Sequence, residues 1–173
     1  MKMICYCADD YALNSQISHA VRTLLQKNAI QATSCMAQSP IWKEQSHELL
    51  KLKTEIEHPF EIGLHLNFTH AFNQDKNPCY SLSELIFKSW TRSLNKEMIR
   101  DSIDQQWQLF VGEIGAQPDF IDGHQHIHQF PVIRDILFAY LEKQNFKGWI
   151  RNLNQIIPAK KYQFKSKILK QLG

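Results

Sequence analysis

The sequence lacks the features that mark secreted, membrane-spanning or nucleic-acid-binding chains. Its apolar N-terminal run meets Asp9 and Asp10 too soon to serve as a signal-peptide core. No later stretch approaches the roughly 20 apolar residues of a membrane span. The four cysteines (Cys5, Cys7, Cys35 and Cys79) have neither the density of a disulfide framework nor paired CxxC spacing. Cys5 and Cys7 fall in what reads as a buried strand, and a reducing, cytoplasmic setting fits them. Charge is thin as well: the formal net charge is +3, and the basic residues are scattered except near the end. A nucleic-acid partner would need a concentrated basic face, so none is expected. The lysines at 160, 161, 165, 167 and 170 read as the solvated side of a terminal helix. With 173 residues, 43% of them hydrophobic, the chain supports one domain (1–173) rather than two.

What is present alternates between two periods. An apolar run over 2–8 reads as a strand, and Asn14 then caps a helix carrying Ile17, Val21, Leu24 and Leu25. Residues 31–37 read as a second strand, 41–56 as a helix burying Trp42, Leu49, Leu50 and Leu52, and 61–68 as a third strand. A polar stretch from His70 to Ser81 predicts a long loop of the kind that carries substrate contacts. Two helices follow. The second is marked by Met98, Ile99, Ile103, Trp107, Phe110 and Ile114 behind an Asn95 cap and is ended by Gly115 and Pro118. A strand over 120–125, a helix over 131–143 opened by proline, and a strand over 149–153 complete the series. This alternation predicts an α/β fold. A mainly parallel sheet is expected, either open or an incomplete (β/α) barrel, since five strands are too few to close a usual one.

Three segments at strand ends carry chemical potential, and α/β folds assemble their sites at the C-terminal ends of strands. The first is Ala8-Asp9-Asp10-Tyr11, whose adjacent carboxylates repel unless a cation or a proton relieves them. Alone, such a pair more often caps a helix or lies solvated. The second is Glu61 to Phe68. Strict alternation puts Ile62, Leu64, Leu66 and Phe68 on one face and Gly63, His65 and Asn67 on the other. A single histidine there is more often a hydrogen-bonded core residue. The third is Asp122-Gly123-His124-Gln125-His126-Ile127-His128. Continued alternation would align Asp122, His124, His126 and His128, a density of ligand types that points to a metal and its supporting groups. Aspartate oxygen with two imidazoles and open positions suits a hydrolytic divalent ion, at which a water becomes acidic and a nearby carboxylate takes its proton.

These motifs, in this order from Met3 to about Arg151, resemble the YdjC-like (ChbG/HpnK-type) carbohydrate deacetylase family. The shared elements are an Ala-Asp-Asp-aromatic opening (Ala8 to Tyr11), a Gly-x-His-x-x-x-Thr strand (Gly63 to Thr69) and an Asp-x-His-x-His-x-His segment (Asp122 to His128). The resemblance implies hydrolysis of N-acetyl groups on amino sugars such as chito-oligosaccharides, releasing acetate. It implies one divalent ion, magnesium or zinc with manganese and cobalt as alternatives, held by Asp10, His65 and His124. Asp9 would be the base, and His128 is the candidate acid. The family usually has glycine at the position of Ala12, so a positive φ there would strain the alanine. Family members are also longer, and a fold lacking its C-terminal part would expose strand edges that a homodimer could cover.

Two other readings compete. The same centre could act on another amide or on a phosphoester, because activated water does not name its substrate. An amidohydrolase-type barrel would instead present His-x-His on its first strand. The chain could also be a truncated, non-catalytic sugar-binding remnant, against which the complete ligand set argues. Trp42, Phe72 and Tyr80 could stack on sugar rings, although aromatics more commonly pack.

Overall fold

Five short strands, the first four each followed by helical segments, emerge where the two periods of the sequence place them. A computed structural model gives the fold, and the structure describes residues 5–72 and 78–152. The start of the first predicted strand, the middle of the 70–81 loop, Leu153 and the basic tail lie outside the described residues. In chain order the elements are β1 (Cys7–Tyr11), α1 (Ser15–Gln26), β2 (Ala32–Cys35), α2 (Trp42–Glu55), β3 (Glu61–Leu66), α3 (Leu82–Trp90), α4 (Lys96–Ile114) and β4 (Phe120–Gly123). A kinked segment of 3-10 turns over His124–Gln129 follows, then α5 (Ile133–Lys143) and β5 (Trp149–Ile150).

All four strand pairs are parallel, and the sheet runs β1-β2-β3-β4-β5 without a reversal. Right-handed crossovers in an unreversed order carry successive helices to the same face, which makes an arc of a (β/α) barrel rather than a doubly wound sheet. β1 and β5 are its edges among the described residues. The helix-facing side is the apolar one: Cys35, Ile62, Leu64, Leu66 and Ile121 join Val21, Leu25, Leu49, Ile103, Phe110 and Leu137 in one buried cluster. Fully burying each Leu or Ile contributes about 1.5–3 kcal/mol, so this face holds the arc together. Trp42 is part of it, stacked on Phe110 at 5.8 Å, with its indole N–H donating to the Leu109 carbonyl. It is therefore a packing residue and not a sugar platform.

The opposite, concave face carries Ser34, Gly63, His65, Phe120 and Asp122, brought into line by the pairings Ser34 with Gly63 and His65 with Asp122. A Cβ on Gly63 would lie 2.5 Å from the Phe120 ring, so the glycine of the Gly-x-His motif is what lets that ring cross β3. The helix signals hold in detail. Asn14 accepts from the Ile17 N–H, Asn95 from Glu97 and Met98, and Gly115 closes α4 at φ 75°.

Three boundaries differ from expectation, two of them in ways that shape the site. The acids lie inside β1 rather than after it. Asp10 takes a left-handed φ of 65°, and the register with β2 shifts between Ala8 and Tyr11. In a regular strand Asp9 and Asp10 would face opposite ways; the irregularity lets both carboxylates serve one end of the sheet. In the other case β4 stops at Gly123, and Gln125 and His126 adopt φ values of 55° and 63°. The expected alternation through His128 is thereby broken, because two consecutive left-handed residues turn the chain out of the pleat. α5 likewise starts at Ile133 rather than at Pro131, behind Val132 at φ 71°.

Candidate metal centre

Asp10 sits between two imidazoles. Its Oδ1 accepts from His65 Nε2 at 3.1 Å and from His124 Nδ1 at 2.9 Å. One ligand atom from each of the three residues lies within 4.8 Å of the others. The strand bulge delivers Asp10, the alternation of β3 delivers His65, and the turn after Gly123 delivers His124. Ligands about 2.1 Å from an ion stand roughly 3 Å apart along an octahedral edge, so the separations around Asp10 Oδ1 match the space such an ion needs.

The hydrogen bonding behind His65 supports the same reading. Its Nδ1–H donates to Asp122 Oδ1 at 2.6 Å, and Ser34 Oγ braces the pair, 3.0 Å from His65 Nδ1 and donating to Asp122 Oδ2 at 3.1 Å. A carboxylate behind one ring nitrogen turns the other toward a metal and makes it more basic. Burial opposes charge on the His65 ring, yet the hydrogen bonds to Asp10 and Asp122 outweigh it and hold the pKa up at about 9. Burial likewise works against the ionised Asp10, but the bonds from His124 and His65 prevail and hold its carboxyl well below the usual range. The His65 ring thus favours its protonated form between the carboxylates of Asp10 and Asp122.

Asp9 belongs to an adjoining cluster. Its two oxygens each accept from Arg151 Nη1 at 2.8 Å, and the same nitrogen lies 2.9 Å from Asp122 Oδ2. The Cys7 thiol donates to Asp9 Oδ1 at 3.7 Å. Burial opposes the charge of Asp122, but His65 and Arg151 more than offset this and lower its pKa. Thus Asp9 and Asp10 are neighbours in sequence with different partners.

His128 is not among the three gathered around Asp10. It is buried, its Nε2–H donates to the Arg151 carbonyl at 3.0 Å, and its Nδ1 has no partner. A Cβ on Gly123 would stand 3.1 Å from that nitrogen, which is why glycine precedes the turn. Burial pushes the His128 pKa down to about 4, so the ring is neutral at ordinary pH.

Three neighbours of the centre escaped the sequence reading. Ser34 was legible only as a polar residue in a buried strand, and Arg151 only as a lone cation at the end of the last strand. His70 is exposed, and its ring lies 6.2 Å from that of His124 and 4.6 Å from that of Phe72. Nothing in the local sequence separates it from other loop residues.

Comparison with known proteins adds a lineage. The model of the family described as YdjC-like protein matches residues 3–172. A chitooligosaccharide deacetylase of Proteus mirabilis (strain HI4320) is 25% identical over 144 residues, covering 79% of this chain and 54% of that protein. One of Serratia marcescens is 24% identical over 155 residues, covering 83% and 57%. The chain thus spans about half the length of the curated relatives it matches. The crystal structure of a candidate cellobiose-phosphate cleavage protein from Enterococcus faecalis V583 superposes with a TM-score of 0.69 at 18% identity, over 96% of this chain and 64% of that one. At that identity the likeness concerns the fold.

Proposed function

Because the chain belongs to the family of YdjC-like proteins, we propose that it is a metal-dependent carbohydrate deacetylase, removing N-acetyl groups from amino sugars of the chito-oligosaccharide kind and releasing acetate. The observation that carries this reading is the convergence of Asp10, His65 and His124 beside a separately held carboxylate, Asp9. The names of the relatives support the substrate class.

In this reading Asp10 Oδ1, His65 Nε2 and His124 Nδ1 hold one divalent ion. Two imidazoles with one carboxylate suit zinc, manganese or cobalt better than magnesium. The chemistry such an ion would supply is a more acidic bound water and an offset to the charge that develops on the amide oxygen. Asp122 and Ser34 keep the His65 ring in the tautomer that presents Nε2. Asp9 takes the proton from the attacking water as the carbonyl carbon becomes tetrahedral. The C–N bond then breaks, and the departing nitrogen needs a proton. His128 was the candidate donor, but its one N–H is committed to the Arg151 carbonyl and its ring is neutral. We assign that step to His70, the exposed imidazole beside His124, and give His128 the task of holding the Arg151 main chain. Phe72, against His70, offers a face on which a pyranose ring can stack.

The test is acetate release from N-acetylated chito-oligosaccharides by metal-reconstituted protein, with Asp9→Asn and His65→Ala alongside. Release that needs the metal and disappears in both variants is expected. No release from folded, metal-loaded protein would turn the assignment toward another amide or phosphoester, or toward a sugar-binding chain without catalysis.

A further inference from the structure

A second group of potential ligand atoms adjoins the first: Cys7, Asp9 and Asp122 place a sulfur and two carboxylate oxygens within 4.8 Å of one another. A cation of the chain's own already occupies the space among the carboxylates. Arg151 Nη1 lies 2.8 Å from both oxygens of Asp9 and 2.9 Å from Asp122 Oδ2, a three-oxygen surround like that of a small ion. We propose that Arg151 is the positioning residue of the centre, its guanidinium filling the place of a second metal ion so that the site stays mononuclear and Asp9 stays a base rather than a ligand. This rests on the metal reading of Asp10, His65 and His124 given above.

Charge supports it. Asp9, Asp10 and Asp122 bring three negative charges to one partly buried region. One divalent ion at Asp10 and one guanidinium balance them while both histidines remain neutral. Without the guanidinium a negative charge is left over, and the group closest to balancing a second divalent ion is the Cys7 thiol, which loses its proton outright when it coordinates a metal. Four negative groups would then face two divalent ions. Geometry supports it too: ligands of a zinc- or cobalt-sized ion stand about 3–4 Å apart, so a group already within 4.8 Å needs only a small contraction once the bulkier guanidinium is gone.

The experiment is titration of Arg151→Ser with cobalt(II), read by absorption and by bound metal per chain. The wild-type chain should take up one equivalent, with no thiolate-to-cobalt charge-transfer band in the near ultraviolet. Arg151→Ser should take up a second with that band, and the double variant Cys7→Ser/Arg151→Ser should lose it. Arg151→Lys, which keeps a cation in place, should return to one equivalent, and millimolar guanidinium should compete with the second equivalent in Arg151→Ser. A folded Arg151→Ser chain with one equivalent and no thiolate band overturns the proposal. If that variant folds only when cobalt is present, the band decides in the same way, and Arg151→Gln serves as the second variant. A wild-type chain that takes up no metal would overturn the proposed function. Even then, a thiolate band in Arg151→Ser would uphold the role of Arg151, and its absence would overturn that role as well.

Discussion

Replacing Asp122 with asparagine probes the centre from behind. The carboxylate is fully buried, accepts from His65 Nδ1 at 2.6 Å and Ser34 Oγ at 3.1 Å, and pairs with Arg151 at 2.9 Å. Asparagine keeps the shape and removes the charge. Breaking one partner of a buried ion pair costs about 3–5 kcal/mol, and because Arg151 keeps Asp9 the loss should fall at the low end, about 3 kcal/mol. Metal affinity carries a second effect. Losing the supporting carboxylate weakens binding by about 10–100-fold, measured where no proton competes. Below that pH the wild-type chain must first expel the proton that Asp10 and Asp122 hold on His65 with a pKa of about 9. The variant holds that proton less firmly, so its affinity should level off at a lower pH. The gap between the two proteins should therefore be widest near pH 9 and narrow toward pH 6.5. Isothermal titration with zinc or manganese across that range measures it, with thermal unfolding as the stability readout. Parallel pH profiles with affinities within twofold of each other would show that Asp122 does not support the His65 ligand.

The same proton governs the stability of the metal-free chain. A His65 pKa raised from 6.5 to about 9 stabilises the fold fully below pH 6.5, and that contribution, about 3 kcal/mol, is lost as pH rises through 9. Denaturation of chelator-treated protein at pH 6.5 and 9.5 should show this loss, and saturating metal should abolish it; a flat profile would contradict the assignment. Ala12 is fully buried with φ 68°. Relief of left-handed strain in Ala12→Gly should roughly offset the lost methyl and the added chain freedom, leaving stability within about 1 kcal/mol, while Ala12→Val should cost more than about 2 kcal/mol. Urea titration checks both, and a Val variant as stable as the parent would refute the strain. His70→Gln should lower kcat by about 100-fold or more, as loss of a general acid does, while His128→Gln should act chiefly through stability. The reverse pattern in steady-state kinetics would return the acid role to His128.

The elements were legible because helices and strands leave different periods in a sequence, and the periodic stretches were long. The α4 stripe with its Asn95 cap and Gly115 terminator, and the alternation of β3 that isolates His65 from Leu64 and Leu66, needed nothing beyond the chain itself. The three strand-end segments that hold Asp9, Asp10, His65 and His124 could also be picked out, because ligand-type residues at successive strand ends converge in a parallel α/β arrangement, while the choice of these four within them rests on the resemblance to the YdjC-like family. Departures came where the backbone left its period. A left-handed residue at Asp10 turns two adjacent acids to one end, and left-handed residues at Gln125 and His126 curl the last histidines away from the strand line. Such φ values are set by packing around the turn and leave no local signature in non-glycine residues.

What the sequence determined by itself is therefore the order of elements, the apolar face of the sheet and the identity of the chemical groups. Only the tertiary structure decided their partners: Asp122 and Ser34 behind His65, and Arg151 between Asp9 and Asp122, 142 residues from Asp9 along the chain. Periodicity is a property of neighbours in sequence and can be read from them. An ion pair between Asp9 in β1 and Arg151 just past β5 depends on the sheet's curvature and register, which exist only once every strand between them has paired.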